Sequence, residues 1–283
     1  MSGKLVLCGT PIGNLEDISQ RALKVIGAAE ILACEDTRRT RKLLAHYGLE
    51  PHSLVVLNDS NERRKTPELV ERMVHGATVV VVSDAGMPGL SDPGYRLVRA
   101  SADAGLPVEV VPGPSAAIAA LSVSGLPPGR FVFEGFLPRR RGDRRRKLEA
   151  LRTEPRTAVV FVAPHRLEES LMDLLEVLGD RPAALVRELT KLHEEVRRGS
   201  LSELLAGVRA DPPRGEIVLV LGGAIHDHRP EVDPAALARE AITLMQTGID
   251  RREAIARVAR EAGVAKREVF DALVGEKQAS EEG

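Results

Sequence analysis

The chain has 283 residues, too many for one small core and enough for two domains, with 43% hydrophobic and 29% charged residues. A formal net charge of −1 excludes a uniformly basic, non-specific nucleic-acid binder and leaves room only for a local basic patch. Aromatic residues are 2% of the total and Trp is absent, so a recognition platform of stacked aromatics is not expected. Cys8 and Cys34 sit in apolar strand-like runs and read as buried thiols of a reducing compartment. No cationic-then-apolar signal segment opens the chain, and no apolar run approaches the ~18 residues of a membrane span. A soluble, cytoplasmic protein with no membrane partner is expected.

Residues 4–9 (KLVLCG) form a short apolar strand that enters Thr10-Pro11-Ile12-Gly13-Asn14, and Ala22, Leu23, Val25 and Ile26 then give a helical stripe. Strand, Gly/Pro turn and helix suit a nucleotide. GTPIGN, however, has the spacing of neither a dinucleotide fingerprint nor a Walker loop. Residues 30–34 are a second strand ending in Glu35-Asp36-Thr37, and the helix after it carries Arg38, Arg39, Arg41 and Lys42, with Asp36 or Thr37 as N-cap. That helix is either a solvated surface element or, placed at a strand end beside a site, a phosphate-contacting one.

Residues 53–57 are a third strand closed by Asn58-Asp59-Ser60-Asn61, and Thr66-Pro67 reads as the N-cap and first residue of the next helix. The run 78–83, with four consecutive valines, has the pattern of a strand buried on both faces of a parallel sheet. Asp84 stands at its end, followed by a turn built from Gly86, Pro88 and Gly89, and a helix from about Pro93 to Ala104 stops at Gly105. Val108–Val111 is a fifth strand, leading into Pro112-Gly113-Pro114-Ser115 and a small-residue helix to about Val123.

Five strands alternating with helices predict a parallel, doubly wound α/β sheet over residues 1–124. In such sheets ligands bind outside the carboxyl ends of the strands. The three polar Gly/Pro loops 9–14, 83–89 and 112–115 share that edge and together predict a small-molecule site.

Residues 125–129 (GLPPG) read as a linker into a second α/β domain, 130–224. It opens on FVFEGF, which holds three of the five Phe residues. PRRRGDRRRK at 138–147 comes next, with seven basic residues and one acid. This run is a solvated helix start or a contact for an anion-rich partner, most simply a nucleic-acid backbone, and Gly142 suggests a mobile loop. A strand at 157–163, an amphipathic helix at 165–178 and a strand at 182–188 lead to RELTKLHEE, where Arg187, Glu188, Thr190, Lys191, His193 and Glu194 are grouped. A hairpin over 188–199 makes this second sheet mixed; Ser200 caps a short helix and 215–223 is the last strand.

Three helical stretches, 234–245, 251–262 and 266–273, form a helix-turn-helix-like module over 232–278 that either packs or contacts nucleic acid. The tail 280–283 is expected to be disordered. His226-Asp227-His228 reads as a solvated loop, and no metal site is predicted. Neither a Gly-x-Ser-x-Gly elbow nor a Walker motif is present.

LVLCGTPIGNLEDIS at 5–19, ACEDTRRT at 33–40, SDAGMPGLSDPGY at 83–95 and VPGPSA at 111–116 resemble the tetrapyrrole methylase superfamily. More narrowly they resemble its branch of 16S rRNA cytidine 2′-O-methyltransferases. The resemblance implies S-adenosylmethionine held folded in a cleft between two α/β domains of a protein that is usually a homodimer. It also implies 16S rRNA as substrate, within the small ribosomal subunit. Carried over by position, the cofactor residues are Pro11, Ile12, Asp84, Ala85, Gly86, Met87, Ser115, Ala116, Ala163, Arg187, Glu188 and Glu216. Met87 departs from relatives that have Thr there, so backbone contact is the safer carry-over. A ribose hydroxyl is a poor acid and needs a base or a polarising cation; Glu188, Lys191, Glu35 and Asp36 are candidates, with none singled out. Arg38, Arg39 and Arg41, with Arg139, Arg140, Arg141, Arg144, Arg145, Arg146 and Lys147, are the expected RNA contacts. Two rivals remain, a tetrapyrrole methyltransferase and a ligand-sensing helix-turn-helix regulator that reads a duplex through 266–273.

Overall fold

Short Val/Leu/Ala runs stopped by Gly and Pro become strands in the computed structural model, which describes residues 3–50, 52–224 and 233–281. The chain forms two compact units, Met1–Ala224 and Ile225–Gly283. In the first, β1 (Lys4–Cys8), β2 (Ile31–Cys34), β3 (Leu54–Val56), β4 (Thr78–Val82) and β5 (Val108–Val111) make a wholly parallel sheet in the order β3-β2-β4-β1-β5. Val79 to Val82 are at most 2% exposed, because helices cover both faces. Leu69 and Met73 of α3 (Glu62–Val74) with Leu97 of α4 (Tyr95–Asp103) lie on one face. Ala22 and Ile26 of α1 (Gln20–Gly27) with Leu44 of α2 (Thr37–His46) lie on the other. Since β4, β1 and β5 are neighbours, the loops leaving their carboxyl ends meet.

The second sheet is mixed: β6 (Phe131–Phe136), β7 (Thr157–Val162), β8 (Pro182–Arg187), β9 (Glu195–Ser200) and β10 (Ile217–Leu221), ordered β6-β7-β10-β8-β9, with only β6–β7 parallel. Leu148 of α6 (Arg141–Ala150), Leu171 and Leu174 of α7 (Leu167–Leu178) and Leu204 of α8 (Leu201–Ala210) cover one face. The other receives α5 (Ala116–Ser124), whose Ala117, Ala120 and Leu121 pack on Val159, Ala184 and Val218. Thus α5 belongs to the first sheet by sequence and to the second by packing, and it ties the two together. Ser200 caps α8 with a full capping box through Glu203.

Two expected boundaries move. The helix expected to start at Pro67, with Thr66 as its cap, starts five residues earlier, at Glu62, and Pro67 lies inside it. Asn58 and Asn61 exchange side-chain-to-backbone bonds that turn the chain directly into the helix. The gain is a structural anchor: the Glu62 carboxylate, 5% exposed as a residue, accepts from the N–H groups of Gly94 and Arg96 and so caps α4 from a distance. The helix expected from Pro93 accordingly begins at Tyr95.

The second unit consists of α9 (Pro234–Gln246), α10 (Arg251–Glu261) and α11 (Lys266–Glu281), around Leu237, Ala241, Val258, Val269 and Leu273. The last helix runs eight residues past the expected Leu273. Its exposed Phe270 lies under the Arg251 guanidinium at 5.3 Å. The sequence 226–228 lies outside the described residues.

Candidate functional site

The loops of β1, β4 and β5 meet through backbone. Thr10 and Gly86 exchange N–H···O bonds of 2.9 and 3.1 Å, and the Thr10 hydroxyl donates to the Ser83 carbonyl at 3.1 Å. Gly9 and Gly113 touch so closely that a Cβ on Gly9 would lie 2.6 Å from the Gly113 Cα. Gly86 takes φ +83°, which a side chain there would resist. Asp84 is turned toward β2: its Oδ1 accepts from the Asp36 N–H at 3.2 Å, and Arg39 Nε stands 3.5 Å from Oδ2.

The second sheet contributes the connection between β8 and β9. Glu188 and Thr190 both have positive φ, +50° and +65°, a strained geometry of the kind that collects at functional sites. Glu188 Oε1 accepts from the Glu216 N–H and from Lys191 Nζ, both at 2.9 Å, while Lys191 also reaches Glu216 Oε2 at 3.2 Å. The Thr190 hydroxyl accepts from the Asn14 N–H at 3.0 Å, and Gly13 lacks the Cβ that would strike Lys191 and Thr190. Between these parts lies a cavity of about 300 Å³, lined among others by Ile12, Arg39, Lys42, Asp84, Lys191 and Glu216. A space of that size fits a small ligand or a nucleoside.

Of the predicted cofactor residues, Pro11, Ile12, Asp84, Ala85 and Glu216 line this cavity. Gly86 borders it through Ile12, whereas Met87, whose Sδ lies beside Gly9, does not line it. Ser115 and Ala116 start α5, with the Ser115 side chain free of any capping bond. Ala163 closes β7, and Arg187 is held by Glu195 at 2.6 Å; neither lines the cavity.

The four candidate bases separate by electrostatics. Hydrogen bonds from the Arg38 side chain and backbone hold Asp36 down at about 2, so it is a helix cap and stays ionised. The Glu216 N–H, then Lys191, lower Glu188 despite partial burial. Burial opposes the Lys191 ammonium, but Glu188 and Glu216 outweigh it and keep the amine charged. Glu35 alone moves toward neutrality, raised by burial first and then by Asp84 and Asp59. Asp92, which nothing in the sequence singled out, is pushed up to about 6 by burial, then by Glu35. Among the described residues no group of three or more His, Cys, Asp and Glu could hold a metal ion.

The family model of tetrapyrrole (corrin/porphyrin) methylases matches residues 4–205. The chain belongs to the tetrapyrrole methylase family. Within that family it is 47% identical over 221 residues to the Thermotoga maritima ribosomal RNA small subunit methyltransferase I, covering 78% of this chain and 99% of that one. The Escherichia coli O157:H7 protein of the same name is 44% identical over 271 residues, covering 95% and 93%. Among solved structures, the Thermus thermophilus uroporphyrin-III-C-methyltransferase superposes with a TM-score of 0.55 at 27% identity, covering 79% of this chain and 96% of that chain.

The tetrapyrrole methylase core accounts for the cleft, but the basic residues need correction. On α2, Arg39 and Lys42 line the cavity, whereas Arg38 pairs with Asp36 and Arg41 does not reach it. Residues 141–150 are helical rather than a loop, and five of the seven basic residues in 139–147 are ion-paired, three of them to acids of α7. Arg144 is 1% exposed and bound to Asp173 and Glu169; Arg141 pairs with Asp173 and Glu176, and Arg145 with Glu176. Arg146 pairs with Asp143 and Lys147 with Glu134. A guanidinium with no solvent access cannot meet a phosphate, so Arg144 leaves the RNA-contact set. Only Arg139 and Arg140 of the run lack an acidic partner among the described residues. The signal was present in Glu169, Asp173 and Glu176, an acidic stripe at helical spacing.

Proposed function

We propose that the chain methylates the ribose 2′-hydroxyl of a cytidine in the decoding region of 16S rRNA, within the small ribosomal subunit, using S-adenosylmethionine. The reading rests on one observation: identity of 44% over 95% of the chain to a protein named for methylation of small-subunit rRNA, against 27% for the tetrapyrrole enzyme with the same fold. It acts in the cytoplasm as a homodimer.

The groups lining the cavity suit the cofactor. Closely packed backbone, Asp84 and Glu216 offer carbonyls and carboxylates, the groups that suit a cationic sulfonium and ribose hydroxyls. When bound, the sulfonium supplies a methyl group that needs no metal and no covalent enzyme intermediate. The protein's part is orientation. Lys191, which lines the cavity, is the polarising cation for the attacking hydroxyl. Arg39 and Lys42 supply phosphate contacts at the cavity wall.

Incubation with methyl-labelled S-adenosylmethionine and small subunits, naked rRNA or a porphyrinoid tests this. Label on the ribose of one rRNA cytidine is expected. Label on the tetrapyrrole, or on nothing, defeats it.

A further inference from the structure

A surface beside the cleft remains unused by the chemistry above. β6 is an edge strand, and its register against β7 shifts between Phe133 and Gly135, where Gly135 takes φ +62°. A bulge inserts one residue and re-aims the side chains beyond it. Phe136 therefore stands opposite Phe161 instead of Val162, on the face that carries Phe133. The three rings form an edge-to-face row, 5.1 Å from Phe133 to Phe161 and 5.3 Å from Phe161 to Phe136. Phe161 and Phe133 are partly buried, whereas Phe136 is 61% exposed.

The loop between β4 and α4 abuts this bulge. A Cβ on Gly135 would meet the Ser91 hydroxyl at 2.8 Å; next to Ser91 the loop presents Leu90, 56% exposed, and α4 then opens on Tyr95, 65% exposed. A chain with five Phe, two Tyr and no Trp thus leaves Phe136 on β6 and Tyr95 at the start of α4 exposed to water. The loop that carries Leu90 and Ser91 starts at Asp84, which lines the cavity.

The rim is cationic. Arg139 and Arg140 come shortly after Phe136 and are exposed, without an ion pair among the described residues. Their turn is pinned from below, since the buried Arg144 guanidinium donates to the carbonyls of Pro138 and Arg139 at 3.4 Å. A second copy docked through this patch would bring those guanidinium groups against their own counterparts, which opposes such a contact. An unpaired nucleotide satisfies both features, with its base on the ring and its phosphates on the cations.

We propose that Phe136, flanked by Leu90 and Tyr95, is a stacking shelf for an unpaired base of the RNA substrate next to the methylated nucleotide, and that Arg139 and Arg140 hold the adjoining phosphates. This rests on the rRNA reading above. Aromatic–base stacking changes affinity by roughly 5- to 150-fold per base.

The test measures methyl transfer to small subunits or rRNA as a function of RNA concentration, with donor affinity by calorimetry and mass by sedimentation. Phe136→Ala and Phe136→Leu are expected to raise KM for RNA about tenfold, with kcat and donor Kd unchanged, and Phe136→Trp to restore it. Leu keeps apolar volume without a stacking plane, so its failure to rescue separates stacking from folding. Tyr95→Ala is expected to add a smaller increase. An unchanged KM, a loss confined to donor affinity, or dissociation of an oligomer on substitution each overturns the shelf. Wild-type protein that labels no RNA defeats the rRNA reading itself, before any variant is compared.

Discussion

Arg144 and Asp173 face one another across α6 and α7 at 2.6 Å, each with its side chain 1% exposed. A charge removed from water is tolerated only when it is paired and hydrogen-bonded, and Glu169 and two backbone carbonyls complete the guanidinium's partners. Removing one partner leaves the other buried with a single ion pair from an exposed side chain, Glu169 for Arg144 or Arg141 for Asp173. Asp173→Ala or Arg144→Ala should therefore lower unfolding free energy by about 3–5 kcal/mol in urea titrations. A cost below about 1 kcal/mol, the usual worth of an exposed pair, would return Arg144 to the surface.

The same geometry divides the basic run by function. Each phosphate contact contributes a slope of about −0.7 to log K against log salt for single strands. Substituting Arg139 and Arg140 by Ala should flatten the slope by about 1.4, while Arg145→Ala, whose guanidinium is occupied by Glu176 at 2.7 Å, should leave it unaltered. A slope flattened in Arg145→Ala as well would show that Glu176 gives up Arg145 on binding.

Much of this was legible in the chain, for reasons that differ by element. Four valines before Asp84 could only be a central strand, and three Gly/Pro loops on one sheet edge had to meet if the strands were neighbours, which β4, β1 and β5 are. The destination of the arginines was not legible from their own segment, because Glu169, Asp173 and Glu176 lie on the next helix and neutralise them only after it packs. Nor did composition anticipate Phe136. A low aromatic count argues against a platform on average, but a single bulge at Gly135 decides where one ring points. Pro67 misled because proline favours the first helical turn statistically, while the paired Asn58 and Asn61 started the helix sooner.

Asp92 gives a pH signature. Its carboxyl titrates near 3.8 in an unfolded chain and is pushed up to about 6 by burial, then by Glu35. Between those values the folded state holds more protons than the unfolded one, so stability falls as pH rises through that window and stays lower above it. Asp92→Asn removes the penalty. Its melting temperature should match wild type near pH 4 and exceed it by about 2 °C or more at pH 8. An equal difference at both pH values would mean that the substitution acts through packing alone.

Gly9 and Gly113 set the tightest constraint on the cofactor loops. A Cβ on Gly9 would stand 2.6 Å from the Gly113 Cα and 2.7 Å from its nitrogen, and neither backbone atom can rotate aside as a flexible side chain would. Gly9→Ala must therefore push the β1 and β5 loops apart, at a cost of about 1–3 kcal/mol. Because those loops carry Pro11, Ile12, Ser115 and Ala116, the displacement should also weaken binding of S-adenosylhomocysteine, by about tenfold for each 1.4 kcal/mol lost at the site. Gly129→Ala is the control, since a Cβ there meets nothing within 4 Å. Calorimetry of the two variants decides the point: unchanged affinity in Gly9→Ala would place the cofactor away from the junction of β1 and β5.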